Sequence, residues 1–393
     1  MSSSGSSVPK GHVELVLLSE GDSEFYLQIP LDIISSLCLT PRKYLLFLGW
    51  CILGVEGVLA LEHDGDRIDT DGDLDDQEVY HYVPVAGLDL VHAVDLEVIK
   101  LRTDVPSEST QTRDEFCNNL LERDVCCVWT GVGRAFGTGL HIVPYKQDWF
   151  RLIVENRPNY SENVTALGDI NDIRNGVFAN TLIHNGFGPR FAAVLKTPNP
   201  ILKTKDIPPR HIRRHISEDV SFPSRSRYTL QWLVDPGEDV TSMIPNNSDA
   251  AFRKNTRKSK PSDLLLHYNY GAAALKCWGR GLEVLQNSAN PPRPPVPVPA
   301  PTGPSRTKHD RKPVIRKLRA ARDPGGAVAG SSTAGAGTGE SVESEGQAMW
   351  DEDDAILFFW GNSQAAKERH LKKIIENTRR MEQWRGGVPQ VSV

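Results

Sequence analysis

The chain has 393 residues, enough for two or three domains and a sizeable core. Its apolar fraction of 39%, with 32 glycines and 27 prolines, excludes a coiled-coil rod and a collagen, and six cysteines without a Cys-x-x-Cys pair exclude a disulfide-stapled miniature or a zinc ribbon. A net charge of −5 excludes a uniformly basic nucleic-acid binder but leaves room for a local basic face.

The first residues, MSSSGSSVPK, are small and polar, so a disordered tail over 1–10 and no secretory leader are expected. Unpaired cysteines point to a reducing, intracellular setting, nucleus or cytoplasm. An N-terminal α+β region is expected over 11–105. HVELVLL alternates like a half-buried strand, and EFYLQIPLDIISSL follows with strand character. The run from Tyr44 to Val55 is nearly continuous in apolar residues, which suits a strand buried on both faces or a short core helix. At twelve residues it is too short for a bilayer, which needs about 20, so no membrane contact is expected.

Residues 56–97 then carry 13 Asp and Glu against Arg67 alone. At their centre, DGDRIDTDGDLDD starts a calcium-loop frame at Asp69, Asp71 and Asp73, but Leu74 takes the glycine position, so a solvated acidic loop is the expectation.

A core over 106–210 begins with ESTQTRDEFCNNLLERD, read as a helix with Phe116, Leu120 and Leu121 on one face. CCVWTGVGRAFGTGLHIVPY reads as a β-hairpin around a Gly-rich turn, WFRLIVENR as helix, NDIRNGVFANTLIHNGF as a loop entering a helix, and FAAVLKTPNPILKT as one or two strands. A basic extension over 211–288 follows. Residues 203–280 hold 14 basic against 8 acidic residues, and DLLLHYNYGAAALKCWG reads as an amphipathic helix. From Pro291, PPRPPVPVPAP, a basic cluster over 306–322 and a Gly/Ala/Ser run make 289–346 an expected disordered linker, before an amphipathic helix over 347–386. The basic cluster suits nuclear import or non-specific nucleic-acid contact. The Pro-rich run suits a spacer or a protein partner, as does the terminal helix.

Four features lie between 127 and 187: Cys127-Val-Trp-Thr-Gly131, His141-Ile-Val-Pro144, Arg174-Asn175-Gly176, and His184 nine residues after Asn175. Each alone is weak, because a histidine beside an apolar run is commonly a packed core residue. Together they place one histidine at a hairpin end, a turn asparagine before a helix, and a second histidine about two and a half turns on.

This combination resembles the HNH endonuclease family, the ββα-metal fold. GLHIVPY (139–145), INDIRNG (170–176), LKTPN (195–199) and PSDLLLHYNYGAAALKCWG (261–279) are similar to strings in the HNH-domain proteins that are numerous in mushroom-forming fungi. The resemblance spans about residues 25–287 and the terminal helix. It implies an α+β fold with a ββα-metal core embedded in a mixed α/β domain. It also implies metal-dependent hydrolysis of phosphodiester bonds in nucleic acid, DNA rather than RNA. His141 would be the general base, Asn175 would fix the loop that carries it, and His184 would bind a divalent ion, Mg²⁺ or Zn²⁺. The family's acidic ligand just before the first histidine is missing, since Leu140 and Thr138 stand there. Asp169 and Asp172 are the expected substitutes. Arg174, Arg253, Lys254, Arg257 and Lys258 are candidate phosphate contacts. Two alternatives stay open: an HNH-fold binding protein that does not cleave, and a protein-interaction module built on the acidic loop, linker and terminal helix.

Overall fold

The structure is a computed structural model that describes residues 8–20, 23–63, 65–96, 110–143, 153–157, 160, 163–167, 169–211 and 217–288. Residues 1–7 of the expected tail over 1–10, the linker over 289–346 and the terminal helix over 347–386 lie outside the described residues, as does the basic cluster over 306–322.

The fold is α+β. Strand β1 (His12–Glu20) is flanked by β2 (Ser23–Pro30) and by β4 (Val79–Pro84), and β3 (Gly57–Ala60) and the short β12 (Gly279–Arg280) complete a five-stranded sheet in the order β12-β2-β1-β4-β3. Only the β1–β4 pairing is parallel. Because β1 is central, Val13 through Leu17 are all buried, and the half-buried strand expected from its alternation is a strand covered on both faces.

Helix α1 (Leu31–Leu37) follows β2, and α2 (Pro41–Leu53) takes the apolar run, settling the strand-or-helix ambiguity. Pro41 at its first turn and Gly54 at its end (φ +72) bound it in the usual way. The acidic loop between β3 and β4 is pinned to α2. Lys43 pairs with Asp71, Arg42 reaches Asp75 at 3.9 Å, and Asp76 accepts the Gly11 N–H at 2.7 Å. Lysine therefore takes the place the calcium frame left open, and it holds the Asp71 carboxyl below its usual range.

Helix α3 (Thr110–Asp124) leads to β5 (Gly137–His141). After a long excursion come β6 (Gly176–Asn180), α4 (Thr181–Phe187) and β7 (Ala192–Thr197). A two-residue strand, β8 (Val220–Ser221), precedes β9 (Arg227–Trp232), α5 (Glu238–Met243), β10 (Ser248–Asp249) and β11 (Phe252–Arg253). The last two helices are α6 (Asp263–Trp278) and α7 (Leu282–Ser288). Strands β10-β9-β7 form a second sheet, β11 pairs with β8, and β5 pairs with β6.

Helix α6 carries much of the core. It packs on α2, β7 and β2, and thirteen of its residues are buried, so it is apolar almost all round rather than amphipathic. Gly271 permits the approach: a methyl there would meet the Cys51 carbonyl oxygen at 2.6 Å. A chain of hydroxyls, Tyr44 to Tyr270 at 2.8 Å and Tyr270 to Gln231 at 2.6 Å, ties α2, α6 and the second sheet. Since β12 pairs with β2 and α6 packs on α2, the regions expected as 11–105, 106–210 and 211–288 share one core.

His267 on α6 lies between Phe47, Trp50 and Tyr160, with ring centroids at 6.0, 4.9 and 5.8 Å. Burial there, with the Lys196 and Arg157 charges nearby, pushes its imidazole from 6.5 down to about 3. The folded state then binds fewer protons than the unfolded chain between those values, so stability falls as pH drops through that window. Urea unfolding between pH 7 and pH 4 should show this slope in the wild type and a shallower one in His267→Phe. Equal slopes would show that His267 is not the group responsible.

Candidate functional site

Antiparallel pairing of β5 with β6 matches Gly137 to Asn180, Gly139 to Phe178 and His141 to Gly176. The hairpin expected within CCVWTGVGRAFGTGLHIVPY does not form: β5 pairs with GVFAN, in the segment expected to be a loop, and not with the CCVWT run. That run folds instead as a tight turn. Gly131 (φ +78) donates to the Cys127 carbonyl at 2.8 Å, and the Cys127 Sγ accepts from the Asn180 N–H at 3.1 Å, just where α4 begins. Asn180 in turn caps α4 by accepting the Leu182 N–H at 2.7 Å. The order strand, strand, helix is that of a ββα unit.

Side chains alternate across the pair, so 137, 139 and 141 share one face with 176, 178 and 180. That face is covered by α3, where Phe116, Leu120 and Phe178 form a small cluster. His141 belongs to it: its ring lies flat on Phe116, with centroids 4.0 Å apart and planes 5° from parallel. The other face carries Leu140, Val177 and Ala179 into the main core, joined by Ile183 and Phe187 of α4. His141 lies under α3, while His184 is half-buried on α4, the helix whose Ile183 and Phe187 enter the main core.

Asn175 is fully buried and its side chain clamps the segment after His141. Its Oδ1 accepts the Val143 N–H at 3.0 Å, and its Nδ2 donates to the carbonyls of Val143 at 3.1 Å and Ile170 at 2.8 Å. Asn269 of α6 grips the same segment, donating to the Ile142 carbonyl at 2.7 Å. His141 Nε2 lies 3.0 Å from the Oδ1 of Asn171.

The described residues do not fit a protein-held divalent ion. Asp172 was the expected ligand, but its two oxygens are taken by the Arg174 N–H, Nε and Nη2 at 2.8, 3.0 and 2.7 Å. Asp169 accepts the Asn171 N–H at 2.9 Å. Both aspartates therefore do the local turn-forming work to which a short carboxylate is suited. Among the described residues no three His, Cys, Asp or Glu side chains come together as a metal site requires.

Arg174 is also committed inward. Besides Asp172 it donates to the carbonyls of Asn163 at 3.2 Å and Ala166 at 2.8 Å. Of the basic segment, Arg253, Lys254 and Arg257 are exposed, while Lys258 is half-buried and paired with Glu122 of α3. Lys258, with Arg253 further off, holds the Glu122 carboxyl below its usual range.

The strongest element of the site carries no motif in the sequence. Arg123 and Asp124, the last residues of α3, form an ion pair with no exposure on either side chain, at 2.6 and 2.9 Å. Arg123 also donates to the carbonyls of Ile173, Gly176 and Ser259 at 2.7, 2.7 and 3.2 Å, and Asp124 accepts the Phe178 N–H at 2.8 Å. Burial pushes the Asp124 carboxyl up, against the pull of Arg123 and that N–H.

Comparison with protein-family models, with curated proteins and with solved structures finds no match. The described residues contain no helix long and apolar enough to cross a membrane.

Arg123→Ala leaves a buried carboxylate without its cation and should cost about 3–5 kcal/mol in urea unfolding, whereas Arg123→Met with Asp124→Leu should recover only part of that, because the Phe178 N–H and the carbonyls of Ile173, Gly176 and Ser259 lose their partners. A single variant within about 0.5 kcal/mol of wild type would show that the pair is not a structural anchor.

Proposed function

We propose that this chain is an HNH-type protein acting on the phosphodiester backbone of nucleic acid, with His141 as the general base. The observation that carries the reading is the Asn175 clamp: a buried asparagine, immediately before the second strand of a ββα unit, holds by its side chain the backbone that follows the strand-end histidine. In such a reaction His141 takes the proton of a water whose oxygen attacks phosphorus, and the bond from phosphorus to the leaving oxygen breaks. Asn175 and Asn269 hold the backbone beyond His141, and Phe116 fixes the plane of its ring. No step is assigned to a metal ion, because the donor set does not fit one.

Nucleic acid is the partner because Arg253, Lys254 and Arg257 stand exposed on β11 and the loop after it, beside α3. A second reading, a binding protein that has the scaffold without cleavage, is favoured by the engagement of Asp169 and Asp172 in their own turn.

Plasmid nicking by the full chain, with Mg²⁺, Mn²⁺ or Zn²⁺ and without added metal, separates the two. Cleavage in the wild type should fall by ~100-fold or more in His141→Ala, the usual worth of a general base, and Asn175→Ala should lose a comparable share. DNA binding with no nicking under any condition, or nicking that survives His141→Ala, overturns the nuclease reading.

Binding has its own check. Replacing Arg253, Lys254 and Arg257 together by Ala should reduce the slope of log affinity against log salt by about 3 for duplex DNA. An unchanged slope would place the interface elsewhere.

A further inference from the structure

We propose that the cleft between α1 and α5 takes an arginine side chain of a partner protein, held by Asp32 and Asp235 over an apolar floor. The proposal is independent of His141 and of the nuclease reading.

The cleft has a volume of about 260 Å³ and is lined from α1, the end of β9, α5 and the turns that flank α5. Sites for drug-sized molecules run to roughly 300–1,000 Å³, so this one suits a single side chain. Ile33, Trp232 and Pro236 supply its apolar surface. Trp232 offers its ring alone, because its Nε1–H donates to the Ile244 carbonyl at 3.0 Å.

The polar lining is built to accept. Asp32 is exposed and makes no hydrogen bond or ion pair among the described residues. Asp235 is also exposed, and one of its oxygens accepts the Gly237 N–H at 2.9 Å, which leaves the other. Ser36 and Thr241 donate their hydroxyl hydrogens to the carbonyls of Ile33 at 2.7 Å and Gly237 at 3.2 Å, so their oxygens keep only lone pairs. None of the residues that line the cleft is basic, and Glu238 and Asp239 add negative charge in the first turn of α5. The occupant must therefore be a cation that donates several hydrogen bonds and rests on apolar surface. A guanidinium does both, with five N–H donors in one plane, a weakly hydrated face and a methylene stem. An ammonium is more strongly hydrated and has no flat face.

Two observations point to a protein as the bearer of that side chain. The walls are preset: Asn247 Nδ2 donates to the Ser36 carbonyl at 2.7 Å and Gln231 Nε2 to the Leu37 carbonyl at 2.8 Å, which ties α1 to the second sheet. Large apolar side chains also stand exposed beside the cleft. Met243 of α5 is 59% exposed, Val234 before Asp235 is 37% exposed, and Phe191, whose carbonyl meets the Val234 N–H at 3.4 Å, is 43% exposed. An arginine anchor with apolar contacts around it is a common centre of a protein interface.

The test uses the full chain labelled with ¹⁵N and three capped tripeptides: Leu-Arg-Leu, Leu-Lys-Leu and Leu-citrulline-Leu. The arginine peptide should shift the signals of the Trp232 indole N–H, the Asn246 side-chain amide and the Gly237 N–H saturably. Citrulline keeps the shape and removes the charge, and its peptide should bind about tenfold or more weakly. The lysine peptide should also bind more weakly. Asp32→Asn with Asp235→Asn keeps side-chain size and an acceptor for Gly237, and should weaken the arginine peptide by about tenfold or more. Equal binding of the citrulline or lysine peptide overturns the proposal. So does arginine binding that survives the double substitution, a response that maps to other residues, or no saturable shift at about 10 mM peptide. The ranking of the three peptides is read on the wild type and needs no variant to fold.

Discussion

A cation and an anion with no solvent exposure sit side by side at the end of α3, and the candidate site hangs from them. Taking Arg123 and Asp124 out of water costs several kcal/mol per ion, which their mutual attraction alone rarely offsets. Here the deficit is met by direct hydrogen bonds to the backbone. Arg123 reaches the carbonyls of Ile173, Gly176 and Ser259, and Asp124 takes the Phe178 N–H. Those partners are the turn before Asn175, the start of β6 and the end of the basic loop. The pair therefore works as a rivet: α3, the second strand of the hairpin and the basic segment must all be in place before the two charges are satisfied. Asn175 and its clamp on the His141 segment come into position as a consequence.

What could be read from the sequence follows from how local each signal is. Asn175 beside Gly176 and His141 before Ile-Val-Pro are legible as short strings, although the Asn175 side chain reaches Val143, 32 residues back. The helix of Leu264 to Trp278 was legible from its length and apolar content, but not its burial on all sides, which depends on α2, β2 and β7 arriving from distant parts of the chain. The pairing of β5 with β6 was hidden for the same reason. An excursion of more than thirty residues separates the strands, and no periodicity reports a partner that far off. Arg123 and Asp124 were not legible, because sequence carries no sign of which charges will be enclosed.

Asp169 and Asp172 show a different limit. A carboxylate near a candidate histidine is equally suited to metal ligation and to capping its own turn, and the turn is reached first because it costs almost no chain closure. Arg174, two residues beyond Asp172, settles the competition by occupying both oxygens. The same logic governs the acidic loop, where Lys43 and Arg42 of α2 lie within reach of carboxylates that resembled a calcium frame. In both places a cation supplied by the chain engages the carboxylates.

The face on which His141 lies is the hinge of any functional account, because a strand shifted by one residue turns every side chain to the other side. In this hairpin the glycines decide it. A methyl at Gly176 would stand 2.4 Å from the Phe116 ring, one at Gly137 would stand 2.6 Å from Phe178, and one at Gly139 would already press on Leu120 at 3.3 Å. The surface toward α3 is thus built to admit aromatic rings against bare backbone. Residues 137, 139 and 176 leave that space, and Phe116, Leu120 and Phe178 fill it. A one-residue slip would drive Leu140 and Thr138 into the space the glycines leave, and would pull Leu140 out of the main core. The spacing Gly-Thr-Gly-Leu-His therefore carries the answer: by period two, the histidine shares the face of the two glycines. That parity sets the imidazole on Phe116 with its edge toward Asn171.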